Sequence, residues 1–158
     1  MKSKILLILF FLYANYSVAN DINENTIYVH TDFYDFIVDL AITNEDKKKG
    51  LMNIKSLSNT NGMLFIYNKP QILRMWMKNT YLKLDIIFID ENHFVSSIEK
   101  GKKFSKDILS SKKPVIAVLE ILSTCNKKIG IKIGDKISWS YFEKDNLIKT
   151  KNHIDKCS

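Results

Sequence analysis

The sequence predicts a mainly β domain, a compact sandwich or barrel with one short helix, and three observations carry that expectation. Apolar residues recur in short runs with alternating or continuous character, not at helical spacing. Clusters of Asn, Asp, Gly and Pro separate those runs at intervals of about ten residues. One stretch alone carries a helix-start signal.

The first strand is read at Phe36, Val38, Leu40 and Ile42, which alternate with Ile37, Asp39 and Ala41 in the period of two that buries one face. Thr43-Asn44-Glu45-Asp46 then forms a capping box with Asp in place of Glu. The short helix it starts is rich in Lys47, Lys48 and Lys49 near its end, where the helix dipole favours cations, and Gly50 stops it. After the turn formers Ser56 to Asn61, Gly62 opens the apolar run Met63 to Tyr67, and Asn68-Lys69-Pro70 closes it. Leu73 to Thr80 reads as a further strand, followed by the very apolar Leu84 to Ile89. The turn Asp90-Glu91-Asn92-His93 leads into a hairpin partner at Phe94 to Lys100. Residues 101–113 hold five Lys and few large apolar side chains, so they are expected to form an exposed loop ended by Pro114. Val115 to Ile121 is a buried strand, and Ile137 to Phe142, led in by Gly134-Asp135, is the last. No internal repeat is present.

Length and composition fit one folded domain. A chain of 158 residues carries one substantial core, and 46% hydrophobic with 26% charged residues matches neither a disordered nor a multi-span membrane protein. The expected division is 1–19 as signal peptide, 20–35 as an N-terminal lead, 36–142 as the β domain and 143–158 as a polar tail. The formal charge of +7 raises nucleic acid as a partner. Against it, Arg74 is the single arginine, and the lysines fall in most of the expected loops as a solvated surface would place them. No nucleic-acid partner is expected.

Lys2 and Lys4 precede an apolar run from Ile5 to Tyr13, and Ser17 and Ala19 then supply the two small residues of a cleavage site before Asn20. This is the pattern of a secretory signal peptide, and the run is well short of the ~20 residues that span a bilayer. The expected location of the mature chain is periplasmic or extracellular, with no transmembrane span. In such a compartment Cys125 and Cys157 can form a disulfide. It would close a loop of about 30 residues and contribute roughly 3 to 4 kcal/mol in the chain-entropy treatment. Two free thiols are the open alternative, while the spacing rules out a C-x-x-C redox pair.

Four segments carry a family resemblance. They are Gly50-Leu51-Met52; Gly62-Met63-Leu64-Phe65; Met75-Trp76-Met77-Lys78-Asn79-Thr80 with Leu84-Asp85 and Phe88-Ile89-Asp90; and Val118-Leu119-Glu120 followed by Gly134-Asp135. In this order and spacing, over about Phe36 to Trp139, the chain resembles the bacterial and archaeal family called domain of unknown function 192. The resemblance implies a β-sandwich of jelly-roll kind, often behind a signal peptide, with no established activity. Departures are Lys83, where members usually carry Pro, Ser123-Thr124-Cys125-Asn126 in place of a Gly-containing turn, and Asn92-His93 in place of another Gly.

The residues that could do chemistry are few. On an extended segment Arg74, Trp76 and Lys78 face one way and Met75, Met77 and Asn79 the other. An aromatic flanked by cations can seat a sugar ring or an anion, although Trp76 can equally be core. Asp85 and Glu120 sit in apolar strands, where an unpartnered carboxylate is costly or takes up a proton, so partners such as Lys78 and Asn79 are expected. Paired carboxylates could also act as acid and base, and a plain ion pair that fixes the fold is the simpler alternative. His30, His93 and His153 stand at no ligand spacing, so neither a metal nor another cofactor is expected. The expected function is a non-catalytic, monomeric envelope module that binds a small molecule, a glycan or a partner protein. Its pocket would be lined by Trp76, Lys78, Asn79, Asp85 and Glu120. The alternative is a hydrolase using Asp85 and Glu120, and a third reading is an accessory of a membrane complex with no ligand of its own.

Overall fold

The computed structural model describes residues 26–57, 61–141 and the backbone of 152–154. The expected signal peptide, Cys157 and the rest of the tail lie outside the described residues. The protein is mainly β. Its strands are β1 (Thr26–His30), β2 (Tyr34–Ala41), β3 (Gly62–Gln71), β4 (Arg74–Met75), β5 (Leu84–Ile89), β6 (Val95–Gly101), β7 (Leu109–Ser110), β8 (Val115–Leu122), β9 (Ser138–Tyr141) and β10 (Asn152–Ile154). Helices α1 (Asn44–Lys49) and α2 (Ser123–Ile129) complete the described residues.

Eight strands form one sheet in the order β6-β5-β8-β3-β2-β1-β9, with β10 pairing β2 in parallel beside the end of β3. The sheet is open, although β6 and β9 approach at one end through the bridge between Phe94 and Lys136. β4 and β7 make a separate two-stranded ribbon. The alternation along the strands splits the core between two faces. One carries Val29, Phe36, Val38, Leu64, Ile87, Leu119 and Ile121. The other carries Phe65, Ile86, Phe88 and Val118, and is covered by Leu51 and Leu57 after α1 and by Leu73, Met75, Met77 and Leu82 from the ribbon.

Several local expectations change. A strand, β1, and the start of β2 lie in the segment read as a lead, where Ile27-Tyr28-Val29-His30 alternates buried and half-buried positions beside β2. Of the strand expected at Leu73 to Thr80, only Arg74–Met75 enters a ladder, because the chain turns through Asn79, whose φ is 55°. The loop expected at 101–113 contains β7, paired through Met75 to Leu109. A second helix, α2, follows β8 directly. Its N-cap is Leu122, with no capping side chain, so the usual start signal is missing. Gly130 ends it in the left-handed conformation.

The capping box of α1 forms as expected. Thr43 accepts from the Asp46 amide at 3.1 Å, and the Asp46 carboxylate accepts from the Thr43 amide at 3.3 Å. Gly62 has a different role, since a Cβ there would fall far inside contact distance of the Glu120 carbonyl oxygen. Only glycine lets β3 approach β8 this closely. Among the described residues no helix is long and apolar enough to cross a membrane.

Candidate functional site

Asp85 and Glu120 do not face each other. Asp85 stands across from Ile121, and Ile86 stands across from Glu120. Cross-strand partners share a face and successive residues alternate, so the two carboxyls leave opposite faces of the sheet. The acid and base pairing of the alternative reading is therefore not assembled.

Asp85 is a clamp. It is fully buried, and its carboxylate accepts from Lys100 Nζ at 2.6 Å, Ser123 Oγ at 2.7 Å and Asn126 Nδ2 at 2.7 Å. Asn126 in turn accepts from the Ile131 amide at 3.1 Å. The carboxylate thus ties β6 and the first turn of α2 to the sheet. Burial pushes its pKa up, but the hydrogen bonds from Lys100, Ser123 and Asn126 and the Lys100 charge outweigh that, leaving it below the ordinary value. The expected partners Lys78 and Asn79 take no part. The Ser123–Asn126 segment, which departs from the family pattern, is the one that supplies this network.

Glu120 is the opposite case. It is buried, lies between Met63 and Ile86 on the ribbon-covered face, and accepts no hydrogen bond and forms no ion pair among the described residues. Burial raises its pKa to about 8, so the group is mostly protonated at neutral pH. The carboxyl lines a pocket with Lys47, Gly50, Met52, Trp76 and Thr80, whose interior holds about 20 Å³. That is room for about one water molecule or the tip of a ligand.

The walls of the pocket follow from local structure. Gly50, at φ 47°, ends α1 and turns the chain back over Phe65. The amide of Asn53 donates to the Asn79 carbonyl at 2.8 Å and joins this loop to the turn that carries Thr80. Trp76 is 43% exposed, so it is a rim and not core. Lys78 Nζ sits 5.2 Å from its ring centroid. Lys47 Nζ lies 4.2 Å from the ring of Tyr67, whose hydroxyl pKa is raised by burial and then by the Glu120 charge.

Of the expected site residues, the structure brings Trp76 and Glu120 to one pocket and keeps Lys78 at its edge through Trp76. Asn79 is exposed and serves through its backbone, while Asp85 is on the other face. The residues missed were Lys47, Gly50, Met52 and Thr80. All but Lys47 belong to the segments that carried the family resemblance, and that was the signal available. Cys125 is fully buried on the inner face of α2, and its expected partner Cys157 lies outside the described residues. Among the described residues no three His, Cys, Asp or Glu side chains stand together as metal ligands.

Comparison with known proteins follows the same segments. The DUF192 family, described as an uncharacterized ACR, matches residues 27–139. A structure described as a candidate transcription regulator from Sinorhizobium meliloti 1021 is 31% identical. The match covers 74% of this chain and 94% of that one, with a TM-score of 0.67. A protein of unknown function from Novosphingobium aromaticivorans DSM 12444 is 34% identical over 72% of this chain and 84% of that one, with a TM-score of 0.65. No curated protein matches.

Proposed function

This chain belongs to the DUF192 family, and on that premise we propose that it is a non-catalytic binding module that takes a small molecule or glycan at the Trp76–Glu120 pocket. The observation that carries the reading is the carboxyl of Glu120, buried without a partner among the described residues and opening into a pocket rimmed by a half-exposed indole. A buried polar group without a partner costs on the order of 1 to 3 kcal/mol, and a ligand that supplies the missing hydrogen bond regains it. The interior is too small for a whole ligand. A flat ring therefore lies on Trp76 while one hydroxyl, amide or carbonyl reaches Glu120, which in its protonated form both donates and accepts.

The same reading takes the module as exported behind its first nineteen residues and monomeric, with the β4–β7 ribbon as the second layer of a jelly-roll-like sandwich. A hydrolytic role for Asp85 and Glu120 has no support in their geometry, since they stand on opposite faces.

Thermal-shift screening of a glycan and metabolite library, with Trp76→Ala and Glu120→Leu run beside the wild type, tests the pocket, since leucine keeps the bulk and removes both the donor and the acceptor. The expected result is a compound that raises the melting temperature of the wild type and of neither variant. A compound that stabilises all three equally lies elsewhere, and a library with no hit sinks the reading.

A further inference from the structure

The basic residues, scattered in the sequence, are gathered by the fold. Segments 72–83 and 101–113 hold eight Lys and Arg against one acid, Asp107, and Lys112 is paired with Glu99 of β6 at 2.8 Å, which leaves a local excess of six positive charges. The two segments run side by side. Arg74 pairs with Ser110 and Met75 with Leu109, and backbone bonds run from Met77 to Ser105, from Phe104 to Thr80 and from Ser111 to Leu73. Leu73, Met75, Met77 and Leu82 are buried against the sheet, so the residues alternating with them point outward.

That outward face is not merely charged. It presents Ile72, Trp76 and Tyr81 from one segment and Phe104 and Ile108 from the other, with Phe104 51% and Ile108 58% exposed. The Tyr81 and Phe104 rings meet edge to face at 4.9 Å. Exposed apolar side chains are ordinary singly, but here they are interleaved with lysines on one layer.

We propose that the outer face of the β4–β7 ribbon docks on an anionic lipid surface, with Phe104, Ile108 and Trp76 entering the headgroup boundary and the lysines lying over it. Charge complementarity selects the partner. Flexible lysine stems suit a diffuse anionic plane, and their apolar stems follow the inserted side chains. Trp and Tyr favour the membrane interface. Nucleic acid fits less well, because Arg74 is the only guanidinium available for bidentate contacts, and the aliphatic Ile72 and Ile108 offer no stacking surface to bases.

Vesicle flotation tests this with the full chain on phosphatidylcholine liposomes with and without phosphatidylglycerol. The apolar run Ile5 to Tyr13 is common to every variant, so comparison between variants reads the ribbon. The wild type is expected to partition at least about tenfold better onto the anionic vesicles. That preference should fade as salt shortens the screening length from about 30 Å to about 3 Å. Lys102→Glu/Lys103→Glu/Lys106→Glu should lose at least about tenfold in partitioning. Phe104→Ser/Ile108→Ser should lose binding with its melting temperature kept, since both side chains are exposed. Glu120→Gln should bind vesicles like the wild type, so failure of the pocket reading leaves this one standing. Equal partitioning of all variants, indifference to lipid charge, or tighter binding to duplex DNA than to vesicles at equal salt overturns the proposal.

Discussion

Ile86 stands directly across from Glu120, and with that single register Asp85 is sent to the other side of the sheet. Two carboxyls that look alike in the sequence thereby acquire opposite fates. Asp85 meets three donors and stays ionised below the usual carboxylate range, while Glu120 meets none among the described residues and is held protonated up to about pH 8.

Removing Asp85 should cost about 2 to 5 kcal/mol, because Asp85→Ala leaves the buried Ser123 and Asn126 without their acceptor, while the exposed Lys100 ammonium returns to water. Urea unfolding at neutral pH measures it. A loss below about 1 kcal/mol would show that the network does not clamp α2.

The pH dependence of stability should carry both carboxyls with opposite signs. The folded pKa of Asp85 is depressed, so its contribution is present above the unfolded value near 4 and is lost as pH falls through the folded one. The folded pKa of Glu120 is raised to about 8, so the native state holds a proton that the unfolded chain has released. Stability therefore declines from about pH 4.5 to about 8, by at most about 1.4 kcal/mol per pH unit from this group, and is flat above. Glu120→Gln should remove that slope. Urea midpoints for both proteins at pH 5, 6.5 and 8 decide it; parallel profiles would refute a protonated Glu120.

Two glycines should differ in their tolerance of alanine. Gly62→Ala drives a methyl into the backbone carbonyl of Glu120, which cannot yield without parting β3 from β8. A loss of about 3 kcal/mol or more, or failure to fold, is expected. Gly101→Ala meets Met77 Sδ at 2.6 Å, the end of a flexible side chain, and should cost about 1 to 2 kcal/mol. The reverse order in denaturation midpoints would contradict the packing described.

Thiol counting in denaturant should find no free thiol before reduction and two after it, as a Cys125–Cys157 bridge requires. Reduction should then lower stability by roughly 3 kcal/mol. Two reactive thiols in the untreated protein would end that expectation.

By itself the sequence determined the mainly β class, because period-two alternation at Phe36 to Ile42 and the apolar runs of β5 and β8 are local signals that need no partner to be read. It also determined α1, whose capping box closes within four residues, and the family, whose segments are contiguous strings. It singled out Trp76 and Glu120, which the fold then brings to one pocket. What it could not determine was α2, which lacks a capping side chain and is held by Asp85 from 38 residues away in the chain. Nor could it assign the sidedness of Asp85 and Glu120, since that depends on how β5 and β8 register. The clustering of charge was hidden for the same reason: lysines in two separate loops form one surface only after Met75 pairs with Leu109. Local patterns encode which elements form, whereas pairing between distant segments decides which side chains meet.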